Sequence, residues 1–155
     1  MNDDALLERT RELLLGLSGL MFVMTMIELM FAKHTDGLIQ LIPFACCILG
    51  LAMIGLVWRR YDAGRIRTLR YAMAAIAAAS VFGMAEHLWN AYEMTRDFHP
   101  GIDGWDLVHT TLTSSIPLLA PGALAAGAFV SLIAMHGLPN PAPVTVGSPN
   151  RLRRA

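Results

Sequence analysis

The sequence predicts an all-α integral membrane protein, a bundle of four transmembrane helices without a soluble domain. Of its 155 residues, 55% are hydrophobic and only 15% are charged, whereas a soluble domain usually carries about 25% charged residues. The apolar residues are also concentrated in four blocks, each near or above the roughly 20 residues that a helix needs to cross a bilayer. Composition and block length therefore indicate the same fold class.

Each of the four predicted spans rests on its own apolar block. The first follows a leader with four acidic residues and only two arginines, and no small-residue cleavage site comes after it, so we expect a retained helix rather than a secretory signal. The second and third are bounded by arginine-rich and aromatic residues. The fourth contains GALAAGA, whose small residues four apart suit close helix packing. The predicted spans are 13–32, 38–58, 69–92 and 107–135.

The chain divides into two regions on this basis. Residues 1–136 form the transmembrane bundle, and the tail 137–155 is rich in proline and polar residues, so we expect it to be disordered and cytoplasmic. In the fourth span, Pro117 has no N–H and should leave the carbonyl of Thr113 without its helical partner, and Pro121 should do the same for the carbonyl of Pro117. Such free carbonyls are available to a ligand.

Basic residues predict the orientation. Ten lysine and arginine residues lie in the leader, in the loop between the second and third spans, and in the tail, against only Lys33 and Arg96 on the other side. The positive-inside rule then places both termini in the cytoplasm, in a bacterial-type inner (plasma) membrane. The ten residues are Arg9, Arg11, Arg59, Arg60, Arg65, Arg67, Arg70, Arg151, Arg153 and Arg154.

Ionisable side chains recur at one depth on three spans. Glu28 ends the first span, the stretch GMAEHLWNAYEM (83–94) carries Glu86 and His87 in the third, and His109 begins the fourth. At about 1.5 Å per residue, all four lie within one or two turns of the outer boundary. This coincidence predicts a shared polar site in the outer half of the bundle.

The third span adds a direction to that prediction. Glu86, Asn90 and Glu93 follow one another at i, i+4 and i+7 and therefore share a stripe of the helix. We expect this stripe to face the bundle interior, because a charge that faces hydrocarbon costs several kcal/mol. The adjacent cysteines Cys46 and Cys47 point about 100° apart on the second span, which suits neither a disulfide nor joint chelation. We interpret them as small apolar filler.

Carboxylates and imidazoles form the ligand set that zinc, manganese, iron or copper accepts. We therefore predict that the cluster binds a divalent transition-metal ion from the periplasmic side. A di-iron site is not expected, because Glu86 and His87 are adjacent where that site needs Glu-x-x-His. The predicted metal ligands are Glu28, Glu86, His87, Asn90 and His109.

Three alternatives remain open at this point. His87 and His109 could be the axial ligands of a b-type haem. Glu28 and Glu86 could titrate in a small proton-coupled transporter. The protein could instead be an accessory or structural subunit of a larger membrane complex, or a homo-oligomer in the lipid bilayer. No phosphate-binding loop, nucleophile elbow, HExxH or nucleic-acid pattern occurs, and the sequence leaves open whether the protein is an enzyme.

Overall fold

The computed structural model describes residues 3–33, 37–113 and 119–138. Throughout these ranges the regular structure is helical and no strand occurs. Three helices are long and apolar enough to cross a membrane. The second of them is counted together with the short 3-10 turn that leads into it. The elements are α1 (Asp3–Phe31), a 3-10 turn (Ile39–Leu41), α2 (Ile42–Arg59), α3 (Ala63–Phe98), α4 (Gly104–Thr113) and α5 (Leu119–Ala134).

Two helices extend beyond the apolar blocks that predict them. Helix α1 begins at Asp3 rather than at residue 13, because the leader is rich in good helix formers and its aspartates suit a helix N-terminus. Helix α3 spans Ala63–Phe98 rather than 69–92. Its start is fixed by Asp62, whose side chain accepts a hydrogen bond from the backbone N–H of Arg65 at 3.0 Å.

In the region of the fourth predicted span the structure has two helices, α4 and α5. Residues 114–118 between them lie outside the described residues, as do residues 139–155 of the predicted tail. The predicted free carbonyl of Pro117 also falls outside the described residues. Among the elements described, α5 is apolar but shorter than the three candidate spans, so the count of four membrane crossings stays a prediction.

Helices α1, α2, α3 and α5 pack side by side with alternating direction. Helix α5 lies against α1 and α3, α2 also lies against α1 and α3, and α4 lies against α3. We call the end that carries the start of α1 and the end of α5 the terminal end. The opposite end, which carries the end of α1, the start of α2 and the connection 99–103, is the loop end.

Phe22 lies at the centre of this packing and is completely buried. A Cβ added at Gly50 of α2 would come within 2.7 to 3.0 Å of its ring, and one at Gly127 of α5 would lie 3.5 Å from it. Two glycines thus let α2 and α5 approach the aromatic ring from α1. This is the close packing that the small residues of GALAAGA predict.

A buried hydrogen-bond group joins α1 to α5 next to that ring. The Ser18 hydroxyl donates to the carbonyl of Gly127 at 2.7 Å and lies 2.7 Å from the hydroxyl of Ser131. Interhelical bonds of this kind stabilise helix pairs in lipid, where a polar group has no water to bind. They therefore fix the depth of α5 relative to α1.

Arginines organise the terminal end. Arg70 of α3 donates to the carbonyls of Met135 and, at 3.0 Å, Leu138, just beyond the last turn of α5. Arg65 donates to the carbonyl of Leu56 in α2 at 2.9 Å and pairs with the carboxylate of Asp62 at 3.0 Å. Residues that the sequence uses to predict orientation thus also cap two helices.

The first turns of α1 lie beside the connection between α2 and α3. Burial raises the pKa of Tyr61 in that connection, and the carboxylates of Glu12 and Glu8 raise it further, while Arg11 opposes them. Charged residues of the helical leader are therefore close enough to this connection to interact with it electrostatically.

Candidate functional site

A cavity of about 80 Å³ lies between α1, α2, α3 and α5, on the loop-end side of Phe22. Eight of its twelve described lining residues are apolar. The other four each bring a group able to bind a ligand: the carboxylate of Glu28, the thiol of Cys46, the hydroxyl of Ser80 and the imidazole of His87. An apolar cavity with a few convergent polar groups is the usual form of a small-ligand site.

Glu28 reaches the cavity from the last turn of α1. Its neighbour Leu29 is buried and lines the same cavity, whereas the side chain of Glu28 is exposed. Successive helical residues point about 100° apart, so Glu28 lies at the rim while Leu29 forms part of the wall. An exposed carboxylate at the mouth of an apolar cavity is chemically able to act as a counter-ion for a cation.

His87 reaches the cavity from α3 and is half-buried. It follows Gly83 by four residues and Ser80 by seven, and all three line the cavity from one face of the helix. Ser80 is buried and donates its hydroxyl to the carbonyl of Ile76 at 2.8 Å. A Cβ at Gly83 would lie 3.9 Å from Pro121 of α5, so α3 and α5 approach closely beside the imidazole.

The five predicted site residues divide into two groups. Glu28 and His87 line the same cavity, on α1 and α3. Glu86 and Asn90 are exposed on α3, and His109 is exposed on α4; these three are not among the described lining residues. The structure therefore brings together one carboxylate and one imidazole from the predicted set.

The prediction that one stripe of α3 faces the bundle interior is wrong. Glu86, Asn90 and Glu93 are exposed, and the buried residues in this part of the helix are Ala91 and Thr95. A helix the length of α3 measures about 54 Å, more than the roughly 30 Å of a bilayer's hydrocarbon core. If α3 crosses a bilayer, part of it must therefore lie outside the hydrocarbon, and a charge there does not have to turn inward.

The predicted metal centre is not assembled in the part of the chain that the structure describes. Within residues 3–33, 37–113 and 119–138, no three histidine, cysteine, aspartate or glutamate side chains are grouped closely enough to hold a metal ion. His87 and His109 also stand in different environments, one half-buried and one exposed. The haem and proton-transporter alternatives stay predictions.

Cys46 is the site residue that the sequence interpretation missed, because its thiol was assigned as filler. Cys46 is half-buried in α2 and lines the same cavity as Glu28 of α1 and His87 of α3. Depth along the helices gives the signal that could have found it: Cys46 is four residues into α2 and Glu28 is three residues from the end of the antiparallel α1. Both therefore lie within about 6 Å of their helix ends.

Comparison with known proteins found no match to this chain among family models, curated proteins or solved structures.

Proposed function

We propose that the protein is an integral membrane protein that binds a small organic ammonium ion in the cavity between α1, α2, α3 and α5. The observation that supports this is the lining: apolar walls with a carboxylate at the rim and an imidazole on the facing helix. Apolar walls accept the hydrocarbon part of an ammonium ion, and the Glu28 carboxylate accepts its N–H donors and balances its charge. His87 supplies a second hydrogen-bonding group.

A transition-metal ion is the second candidate ligand. Cys46 favours it, because a thiol, an imidazole and a carboxylate around one cavity are all ligand types that zinc accepts. Binding a metal here requires side-chain rearrangement, since the described side chains are not grouped as metal ligands. An organic ammonium ion needs only apolar walls and one carboxylate, which the cavity already presents, and we therefore rank it first.

Titration of the purified protein with propylammonium tests the first candidate. We expect wild-type protein to bind it and Glu28→Gln to weaken binding by about tenfold or more, because a hydrogen bond to a charged partner contributes about 1.5–3 kcal/mol. Glu86→Gln is the matched control: it removes the same charge from an exposed position that is not a described part of the lining, and it should change the affinity less than about twofold.

A parallel titration with Zn²⁺ separates the two candidates. If propylammonium does not bind, and Zn²⁺ binds wild-type protein but not His87→Ala or Cys46→Ser, the metal candidate replaces the first. His109→Ala is the control in this arm, because His109 is exposed on α4. Equal propylammonium affinity in the Glu28→Gln and Glu86→Gln variants contradicts the ammonium proposal.

We also propose that the terminal end faces the cytoplasm of a bacterial-type inner membrane, with α4 and α5 together making the fourth crossing. The ten-to-two distribution of basic residues supports this orientation. We expect a cysteine at position 99 to react with a membrane-impermeant maleimide on intact cells and a cysteine at position 65 to react only after permeabilisation. Cys46 and Cys47 are first replaced by alanine. The opposite labelling pattern refutes the orientation.

A further inference from the structure

An open groove lies between α1 and α5 at the terminal end, on the other side of Phe22 from the cavity. Its volume is about 530 Å³, against about 80 Å³ for the cavity. Apolar side chains form most of its walls, and three of them are well exposed: Leu7 by 49%, Phe129 by 54% and Ile133 by 63%. The groove therefore suits an extended apolar ligand rather than a small ion.

Two basic side chains also line this groove. They are Arg11 of α1 and His136, just after the end of α5, and the described lining contains no carboxylate. Arg11 is half-buried, and among the described residues its guanidinium has neither a hydrogen bond nor an ion pair. Its positive charge and its five N–H donors are therefore left for an acceptor that the described part of the protein does not supply.

The groove on the other side of α1 has a different charge pattern. It lies between α1 and α2 and is lined by Arg9 and also by Glu12. A carboxylate thus balances the arginine there, whereas the described lining of the α1–α5 groove has no such group. Of the two grooves, the one with Arg11 and His136 is complementary to an anion.

Both basic residues lie where polar sequence meets apolar sequence. Arg11 comes just before the first predicted span, which begins at residue 13, and His136 directly follows the fourth, which ends at residue 135. Phe129 is seven residues before His136, or about 10 Å further towards the loop end. In a bilayer the groove would therefore run from the level of the headgroups into the hydrocarbon.

We propose that the α1–α5 groove binds an anionic phospholipid. Its phosphate binds the guanidinium of Arg11 and the imidazole of His136, and one acyl chain lies along Leu14, Phe129 and Ile133. A guanidinium matches the oxygens of a phosphate in charge and in geometry, and basic pockets between transmembrane helices on the cytoplasmic side bind anionic headgroups. The groove is separate from the cavity, so this inference goes beyond the proposed ammonium site.

Lipid titration of the full-length protein in nonionic detergent tests this proposal, with bound lipid counted by native mass spectrometry. The probes are dioleoylphosphatidylglycerol, which carries a net negative charge, and dioleoylphosphatidylcholine, whose choline group balances its phosphate. We expect wild-type protein to bind one phosphatidylglycerol about tenfold more tightly than phosphatidylcholine, and Arg11→Gln to remove most of that preference. His136→Gln should reduce it by less, because His136 is exposed.

Arg9→Gln is the matched control, because it removes the same charge from the same helix but from the other groove. It should change the affinity for phosphatidylglycerol less than about twofold. Without lipid, Arg11→Gln should melt at the wild-type temperature, because Arg11 has no hydrogen bond or ion pair among the described residues. Its affinity for propylammonium should also be unchanged, since Arg11 is not a described part of the cavity lining.

Equal weakening in Arg9→Gln and Arg11→Gln, or equal wild-type affinity for the two lipids, refutes the proposal. Glycerol 1-phosphate carries the phosphate without acyl chains; if it displaces the lipid at equal concentration, the groove binds a soluble anion instead. The proposal is also wrong if wild-type protein is a dimer that Ile133→Glu dissociates, because a second copy then occupies the groove. Binding of phosphatidylglycerol only after removal of residues 139–155 would assign the groove to that segment. Failure of the propylammonium titration leaves this inference standing.

Discussion

Gly50→Val should lower the free energy of unfolding by about 1–3 kcal/mol, the usual cost of overpacking a well-packed core. The Cβ alone would come within 2.7 to 3.0 Å of three atoms of the Phe22 ring, and the ring is completely buried, so it has no free space to move into. Helix α2 must then move away from α1. Reversible unfolding in mixed detergent micelles, followed by circular dichroism, measures the change.

Gly55→Val is the matched control for that variant. It introduces the same side chain into the same helix, but a Cβ at Gly55 would meet nothing within 4 Å among the described residues. We expect it to change stability by less than about 0.5 kcal/mol, as exposed substitutions usually do. The double variant Gly50→Val/Phe22→Ala should lose less stability than the sum of its single variants, because the clash and the cavity offset each other. Strict additivity contradicts the proposed contact.

Arg70→Met should lower the free energy of unfolding by a similar amount, about 1.5–3 kcal/mol. The guanidinium donates to the carbonyls of Met135 and Leu138. Removing the guanidinium leaves these part-buried carbonyls, just beyond the end of α5, without their charged donor. Methionine keeps most of the apolar stem of arginine, so the variant isolates the loss of the hydrogen bonds. The same unfolding measurement applies.

Arg67→Met controls for the loss of one positive charge from the start of α3, since Arg67 is exposed. We expect it to have little effect on stability. Arg70→Lys should recover only part of the loss, because an ammonium group does not reproduce the fork of donors that a guanidinium presents to two carbonyls. If the Arg70→Met and Arg67→Met variants unfold alike, Arg70 does not hold α5 in place.

The sequence predicts the helical class and the approximate spans well, for a simple reason. Three blocks of apolar residues are long enough for a bilayer, and α1, α2 and α3 occupy them. Depth along a helix is also readable from sequence, because each residue adds about 1.5 Å. Such counting places Glu28 and His87 at a similar level, and both line one cavity in the structure.

Helix ends were harder to predict because hydropathy does not define them. The start of α3 depends on Asp62 and Arg65, which lie outside the apolar block. The start of α1 depends on helix-forming residues of the leader, whose charges also act on Tyr61. In both cases polar contacts at the terminal end extend the helix past the residues that lipid requires to be apolar.

What the sequence by itself determined is thus the helical class and three candidate spans, because lipid imposes length and apolarity on a helix. Only the tertiary structure decided how each helix is rotated. A helix that is apolar on every side carries no pattern that distinguishes its packed face from its lipid face. The fit of Phe22 against Gly50 and Gly127 makes that distinction here. Rotation by one residue, about 100°, is what places His87 rather than Glu86 beside Glu28 and Cys46.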